Sequence, residues 1–335
     1  MKFKPQQPPH IFHTDSNCSI MGDVLITTVC LYFMAFYYYG IRSLLIGLTA
    51  VVACCLSQML YMTLMGKKDE ISLRDWSPIV TGMIISLMLP ASIPFSAVII
   101  ICMFAILVAK APFGRTGENL FNPAAAGIAF GVVCWGPQMF SYPQPMHSLP
   151  LIIDESVRLV SNPSSMLKLG GIPPYTFSEV IFGNVPGPMG ATNILVITAC
   201  LIFLLCRGTV RWHQPAAFIA VCTVFAFLFP RISYSRGQSV LFELFSGSLM
   251  FAAVFMLNDP VTSPKREIGR LMYGAAAGFI TMLARYFGSF PQGACFAILL
   301  VNSMCLLFDI FSEKIYTMKR RELREFKFTF GKAIR

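Results

Sequence analysis

Apolar residues gather into runs separated by polar breaks, at about 21–40, 41–65, 78–90, 94–110 and 124–139, and again at 193–206, 214–230, 239–257, 270–287 and 292–311. Their length and their Gly/Pro boundaries predict helices that cross a membrane. Several are shorter than the roughly 20 residues a straight crossing needs, and 78–90 stops at Leu89-Pro90. Short spans bounded by Pro imply helices broken inside the protein. A weak repeat supports this: Thr81-Gly82 leads into Leu89-Pro90, as Ser246-Gly247-Ser248 leads into Met256-Leu257-Asn258-Asp259-Pro260. The pattern predicts an all-α integral membrane protein of about ten transmembrane helices, in two inverted five-helix halves. Its expected divisions are a cytoplasmic segment (1–20), a first half (21–139), an extracytoplasmic segment (140–192), a second half (193–311) and a basic cytoplasmic tail (312–335).

Composition fixes the class. Of 335 residues, 56% are hydrophobic and 13% charged, and the mean hydropathy is +0.66. That is more apolar surface than a soluble core can bury. The formal charge of +10 would suggest nucleic acid in a soluble protein, but in a membrane chain it reads as topology, and no nucleic-acid partner is expected. With the N-terminus inside, only Arg42, Arg158, Lys168, Arg231, Arg236 and Arg285 of the 26 basic residues fall outside. The positive-inside rule then favours ten crossings, both termini on the cytoplasmic side and Thr192 on the outer side. The start of the chain lacks a long apolar stretch before a cleavage site and reads as a mature cytoplasmic lead-in. The 11 cysteines lie mostly in apolar runs without a C-x-x-C, as packing residues rather than metal ligands.

The polar breaks hold the candidate chemistry. His10 and His13 form at most an incomplete metal site, and Gly66 to Trp76 mixes charge signs as a solvated connection would. Gly114-Arg115-Thr116-Gly117-Glu118-Asn119-Leu120-Phe121-Asn122-Pro123-Ala124 sets Asn119 and Asn122 between two spans. Neutral amides can hold a heterocycle's edge or an ion without the cost of a buried charge. Asn122 before Pro123 is equally a helix N-cap. Asp259, followed by Thr262 and Ser263, divides in the same way between an ion or cofactor role and capping. Glu243, Asp309 and Arg285 are expected at the membrane interface, and the tail from Lys314 onward anchors on an anionic leaflet or docks a partner. The outer segment reads as a lid closing on Gly187-Pro188-Met189-Gly190-Ala191-Thr192-Asn193-Ile194-Leu195. There Gly190 and Ala191 leave the Thr192 hydroxyl open to attachment of a group.

Gly190-Ala191-Thr192 resembles the core of the site at which a flavin transferase esterifies FMN phosphate to a threonine. With the 114–124 motif before it and Asn258-Asp259-Pro260-Val261-Thr262-Ser263-Pro264 after it, the chain resembles the family of the D subunit of the Rnf complex, whose nearest relative is the B subunit of the sodium-translocating NADH:quinone reductase. The resemblance runs from about Ser77 to Asp309, and Pro9-His10-Ile11 also fits it. It implies an electron-carrying membrane subunit of a complex that moves electrons between ferredoxin and NAD and couples this to Na⁺ or H⁺ movement. It further implies covalent FMN, as a phosphoryl ester on Thr192, and a second, noncovalent flavin, riboflavin among the candidates, near Asn119, Asn122, Asp259 and Thr262. The implied partners are the other membrane and cytoplasmic subunits, the flavin transferase and the lipid bilayer. Direct NAD binding is not expected, since no G-x-G-x-x-G follows a strand. From the residues alone two other readings stand: an ion or small-solute channel of inverted halves without a redox role, and a structural scaffold.

Overall fold

The polar breaks become helix ends. The computed structural model describes residues 17–66, 75–113, 119–147, 149–151, 157–232 and 235–318. Before the long polar segment come α1 (Asn17–Tyr39), α2 (Ile41–Leu64), α3 (Ser77–Met88), α4 (Phe95–Leu107) and α5 (Pro123–Cys134). The polar segment holds α6 (Gly136–Met139), β1 (Ser141–Pro143), β2 (Leu159–Ser161), α7 (Pro163–Lys168) and α8 (Phe177–Phe182). After it come α9 (Ile194–Cys206), α10 (His213–Leu228), α11 (Arg236–Phe245), α12 (Leu249–Phe251), a π-helical turn (Ala252–Met256), α13 (Glu267–Phe287), α14 (Ala294–Ser303) and α15 (Cys305–Met318). His10, His13, residues 67–74, Gly114 to Glu118, Asp154, Glu155 and the tail from Lys319 lie outside the described residues.

Among the described residues three helices are long and apolar enough to cross a membrane: Cys18–Tyr39, Ile41–Leu64 and Phe95–Phe113. Two bent pairs, Arg236–Phe245 with Leu249–Met256 (61°) and Ala294–Ser303 with Cys305–Met318 (58°), bring the number to as many as five. Four further apolar helices, α3, α5, α9 and α10, are shorter. The molecule is a mostly helical membrane protein in which short and broken helices stand beside long ones. Helix α3 shows why the short ones have no amphipathic period: every residue except Ile79 is buried, and a helix covered on all sides needs no polar face.

Close approach of backbones holds the helices together. A Cβ at Gly82 of α3 would lie 2.9 Å from the Ala50 carbonyl of α2, so the two helices touch along their main chains. In α13, Gly274 and Gly278 play the same part: added Cβ atoms would meet the Gln214 and Phe218 carbonyls of α10 at 2.5 and 2.7 Å. Packing of this small-xxx-small kind replaces the hydrophobic drive that lipid does not supply.

The polar segment between α5 and α9 departs from an all-helical expectation. Strands β1 and β2 pair antiparallel, with Ser141 opposite Ser161. Three-residue strands are too short to leave a period in the sequence. The segment folds back over the helix ends. The Met146 N–H donates to the Tyr38 carbonyl at 3.0 Å, and Arg42, only 2% exposed, donates to the carbonyls of Ala91 (2.7 Å), Ile93 (2.9 Å), Pro150 (3.4 Å) and Leu151. Helix α8 opens on a reciprocal capping box between Thr176 and Glu179, and the Thr176 N–H and hydroxyl hold the Glu179 carboxyl below its usual range.

Candidate functional site

Helix α3 carries a candidate site at each end. At its C-terminal end the Gly190 N–H donates to the Leu87 carbonyl at 2.7 Å and the Met189 N–H to the Leu89 carbonyl at 3.1 Å. The loop that bears Thr192 is thereby stapled to the last turn of α3, satisfying carbonyls that a helix end leaves free. The contact needs glycine at 190, where a Cβ would lie 2.6 Å from Leu87 Cβ. Other groups close the loop from the sides. The Tyr39 hydroxyl donates to the Gly187 carbonyl at 3.3 Å. Asn193 caps α9 by accepting from the Val196 N–H at 3.0 Å, while its amide donates to the Phe182 carbonyl at 2.8 Å. Gly183, at φ +84, lies so near the Thr192–Asn193 backbone that a Cβ would come within 2.9 Å.

Thr192 is 4% exposed, and its methyl group points at Gly187, where a Cβ would meet it at 2.7 Å. Its hydroxyl oxygen is not engaged by a local hydrogen bond among the described residues, although the residue as a whole is buried.

The N-terminal end of α3, about 16 Å away for twelve helical residues, opens into a pocket. Its walls come from both halves of the chain: Ser77 and Thr81 of α3, Asn119, Asn122 and Ala124, Thr209, and Val254, Asn258 and Asp259. Asn122 is the hinge of this arrangement. Its Oδ1 accepts from the N–H groups of Ala124 (2.9 Å) and Ala125 (3.1 Å), capping α5, while its Nδ2 donates to the Met256 carbonyl at 2.8 Å. With the Asn302 amide turned to satisfy its neighbours, its oxygen also accepts from the Asn122 N–H at 2.9 Å. Capping and bridging are therefore one structure, and the alternatives read from the sequence are not exclusive. Two helix N-termini, those of α3 and α5, face this pocket with their positive ends. Among the described residues, Asn119 Oδ1 and Asn258 Oδ1 are buried acceptors without a donor.

Asp259 lines the pocket half-buried and accepts from the Val261 N–H at 3.2 Å. Burial is the leading influence on its carboxyl and pushes it up; the Val261 N–H, the Thr262 hydroxyl and Lys110 pull the other way. The folded chain thus keeps a proton that the unfolded chain releases, so stability falls as pH rises from the ordinary carboxylate range through the raised value. Asp259→Asn keeps an acceptor for Val261 and removes the penalty. It is expected to raise Tm at pH 8 by a few degrees, with the gain fading toward pH 4. Scanning fluorimetry across that range checks this, and a gain equal at both ends would refute it.

The structure brings together Asn119, Asn122 and Asp259 in one pocket, sets Thr262 buried beside Asp259, and places Gly190, Ala191 and Thr192 at the other end of α3. Glu243 and Arg285, expected at the membrane interface, are 0% and 1% exposed within the chain, because each meets the other beside the break between α11 and α12. Sequence reasoning also missed Asp23, buried in α1, whose carboxylate receives Arg207 at 3.1 Å and the Thr209 hydroxyl at 2.6 Å beside the pocket. A lone acid within an apolar run was the available signal.

A family model described as NQR2, RnfD, RnfE matches residues 4–317. The chain is 30% identical over 314 residues to the D subunit of the Na⁺-translocating ferredoxin:NAD⁺ oxidoreductase complex of Acetobacterium woodii, covering 92% of this chain and 93% of that one. It is 30% identical over 345 residues to the D subunit of an ion-translocating oxidoreductase complex of Cronobacter sakazakii, covering 93% and 98%. To the D subunit of the proton-translocating ferredoxin:NAD⁺ oxidoreductase complex of Clostridium ljungdahlii it is 26% identical over 323 residues, covering 95% and 97%.

Proposed function

The chain belongs to the NQR2, RnfD, RnfE family, and from that membership we propose that it is the electron-carrying membrane subunit of an Rnf-type, ion-translocating ferredoxin:NAD oxidoreductase complex, with FMN esterified through its phosphate to Thr192. The observation that carries the reading is the Thr192 hydroxyl, without a hydrogen bond among the described residues and flanked by Gly190, Ala191 and Gly187. These residues fit a phosphoester: the oxygen is spoken for by nothing else, and the neighbours add no bulk. Because Thr192 is 4% exposed, loading requires the wall at Gly183 to Pro188 to part for the transferase. Bound FMN would supply the electron-carrying chemistry, while the protein fixes, orients and shields it.

The pocket at the other end of α3 suits a second, noncovalent flavin such as riboflavin by its chemistry. Asn119 and Asn258 offer unused acceptors, the Asn122 bridge fixes the floor, and two helix N-termini favour electron-rich heteroatoms. Its volume is about 70 Å³, below the roughly 300 Å³ of ordinary small-molecule sites, so a ring system enters only as the walls spread. In this reading the chain makes ten crossings in two inverted halves in the inner membrane, both termini are cytoplasmic, and Thr192 lies on the outer face. The Na⁺ or H⁺ coupling, the partner subunits and the flavin transferase belong to the complex, and NAD binds elsewhere in it.

Co-expression with a flavin transferase tests the reading. The 37.2 kDa band is expected to fluoresce in a denaturing gel, and acid treatment of the native chain to release a second flavin. A dark band, with the transferase shown active on another target, would overturn covalent attachment and leave the channel and scaffold readings.

A further inference from the structure

One buried acid has no part in the functions derived above. Asp23 stands in α1, 6% exposed, and its carboxylate reaches the turn that joins α9 to α10. Its Oδ1 accepts from Arg207 Nε at 3.1 Å and its Oδ2 from the Thr209 hydroxyl at 2.6 Å. Residues next to these contacts line the pocket at the N-terminal end of α3: Ile20, Met21 and Val24 from α1, and Leu204, Thr209 and Val210 from the turn and the end of α9. Asp23 therefore stitches together two pocket walls that lie far apart in sequence.

Other walls are tied more firmly. Gly82 sets α3 against the backbone of α2, and Asn122 ties α5 to the Met256 carbonyl, so parting either would break main-chain packing or strand a buried carbonyl. The α9–α10 turn is held differently. Its N–H groups bond within the end of α9: Arg207 to the Phe203 carbonyl at 3.0 Å, Gly208 to that of Leu205 at 3.0 Å and Val210 to that of Leu204 at 3.3 Å. Gly208 turns the chain at φ +75, and a Cβ there would meet nothing within 4 Å. The Arg207 side chain is 54% exposed, and an ion pair with so exposed a partner is weak and screened by salt. A pocket of about 70 Å³ has to open for any ring system, and this seam opens at the least cost.

We propose that Asp23, Arg207 and Thr209 form a latch on this pocket, and that its ligand enters and leaves between α1 and the α9–α10 turn. The turn swings out with Thr209, pivoting at Gly208, while α1 and α3 stay in place. That the ligand is a flavin rests on the function proposed above; the latch itself does not.

The test uses the full-length chain in detergent, without added riboflavin, carrying Val80→Cys in the α3 wall of the pocket, where Val80 is 6% exposed. A charged methanethiosulfonate reaches that thiol when the pocket opens, and mass spectrometry of its peptide reads the rate. Asp23→Asn and Arg207→Ala are expected to raise the rate roughly tenfold, as loss of one charge-assisted contact implies. Arg207→Lys restores a single contact to Oδ1 and should stay near the parent. Added salt should speed the parent and leave Asp23→Asn unchanged. Equal rates in all four chains would overturn the latch. So would an equal acceleration at Cys295, which lines a separate cavity with Met88 and Tyr142, because it would report general loosening. The second readout is release of the acid-extractable flavin into flavin-free buffer, expected to quicken by the same factor. Faster thiol modification with unchanged flavin release would overturn the route between α1 and the turn. A parent chain without extractable flavin would sink the second-flavin reading, and the thiol rates would still decide the latch.

Discussion

Thr192→Val is expected to yield a folded, membrane-inserted chain whose denaturing-gel band shows no flavin fluorescence at all. Valine keeps the shape of threonine and its methyl contact at Gly187, and the lost hydroxyl makes no hydrogen bond among the described residues. Removing a hydrogen bond typically costs about 0.5–1.5 kcal/mol; here there is none to remove. The expected change in Tm is accordingly small while the change in covalent loading is complete. Thr192→Ser retains the oxygen and should retain the label. Gly190→Val would also darken the band, but by another route: its side chain collides with Leu87, where even a Cβ would lie at 2.6 Å, and the loop leaves α3 with a large fall in Tm. Fluorescence persisting in Thr192→Val would refute the assignment of the linkage to this residue.

The contrast between those variants shows which part of the molecule was readable in the sequence. The apolar runs and their Pro and Gly boundaries located the helices closely, because hydrocarbon forces each span to satisfy its own backbone. Gly190, Ala191 and Thr192 were readable as a cluster of minimal bulk around a hydroxyl, and Asn122-Pro123 as a helix start. What was not readable was who meets whom. Nothing local says that Gly190 donates to Leu87, or that the Nδ2 of Asn122 reaches Met256 134 residues away. Arg285 and Glu243 looked interfacial because each stands near the end of an apolar run; that they are buried against each other is decided by the break at Ser246–Ser248, a tertiary event. Gly274 and Gly278 are spaced as a small-xxx-small pair, but the sequence reading did not single them out, and only the packing against Gln214 and Phe218 gives them a partner.

Substitution of Asn122 is expected to produce the largest loss at the other end of α3. Its cap contributes about 0.5–2 kcal/mol relative to alanine, and a buried carbonyl left without its donor, as Met256 would be, costs about 1–3 kcal/mol more. Serine separates the two, since it caps as well as asparagine but is too short to reach Met256. The expected order of Tm is wild type above Asn122→Ser above Asn122→Ala, with the first gap the wider, and both variants should lose the acid-extractable flavin. Because Thr192 lies at the far end of α3, both should keep the covalent fluorescent band, just as Thr192→Val should keep the extractable flavin. Asn122→Ser matching wild type in Tm and in extractable flavin would show that the bridge to Met256 holds nothing. Loss of both flavins from Asn122→Ser, with the chain still folded, would show instead that α3 couples its two ends and that neither site is loaded alone.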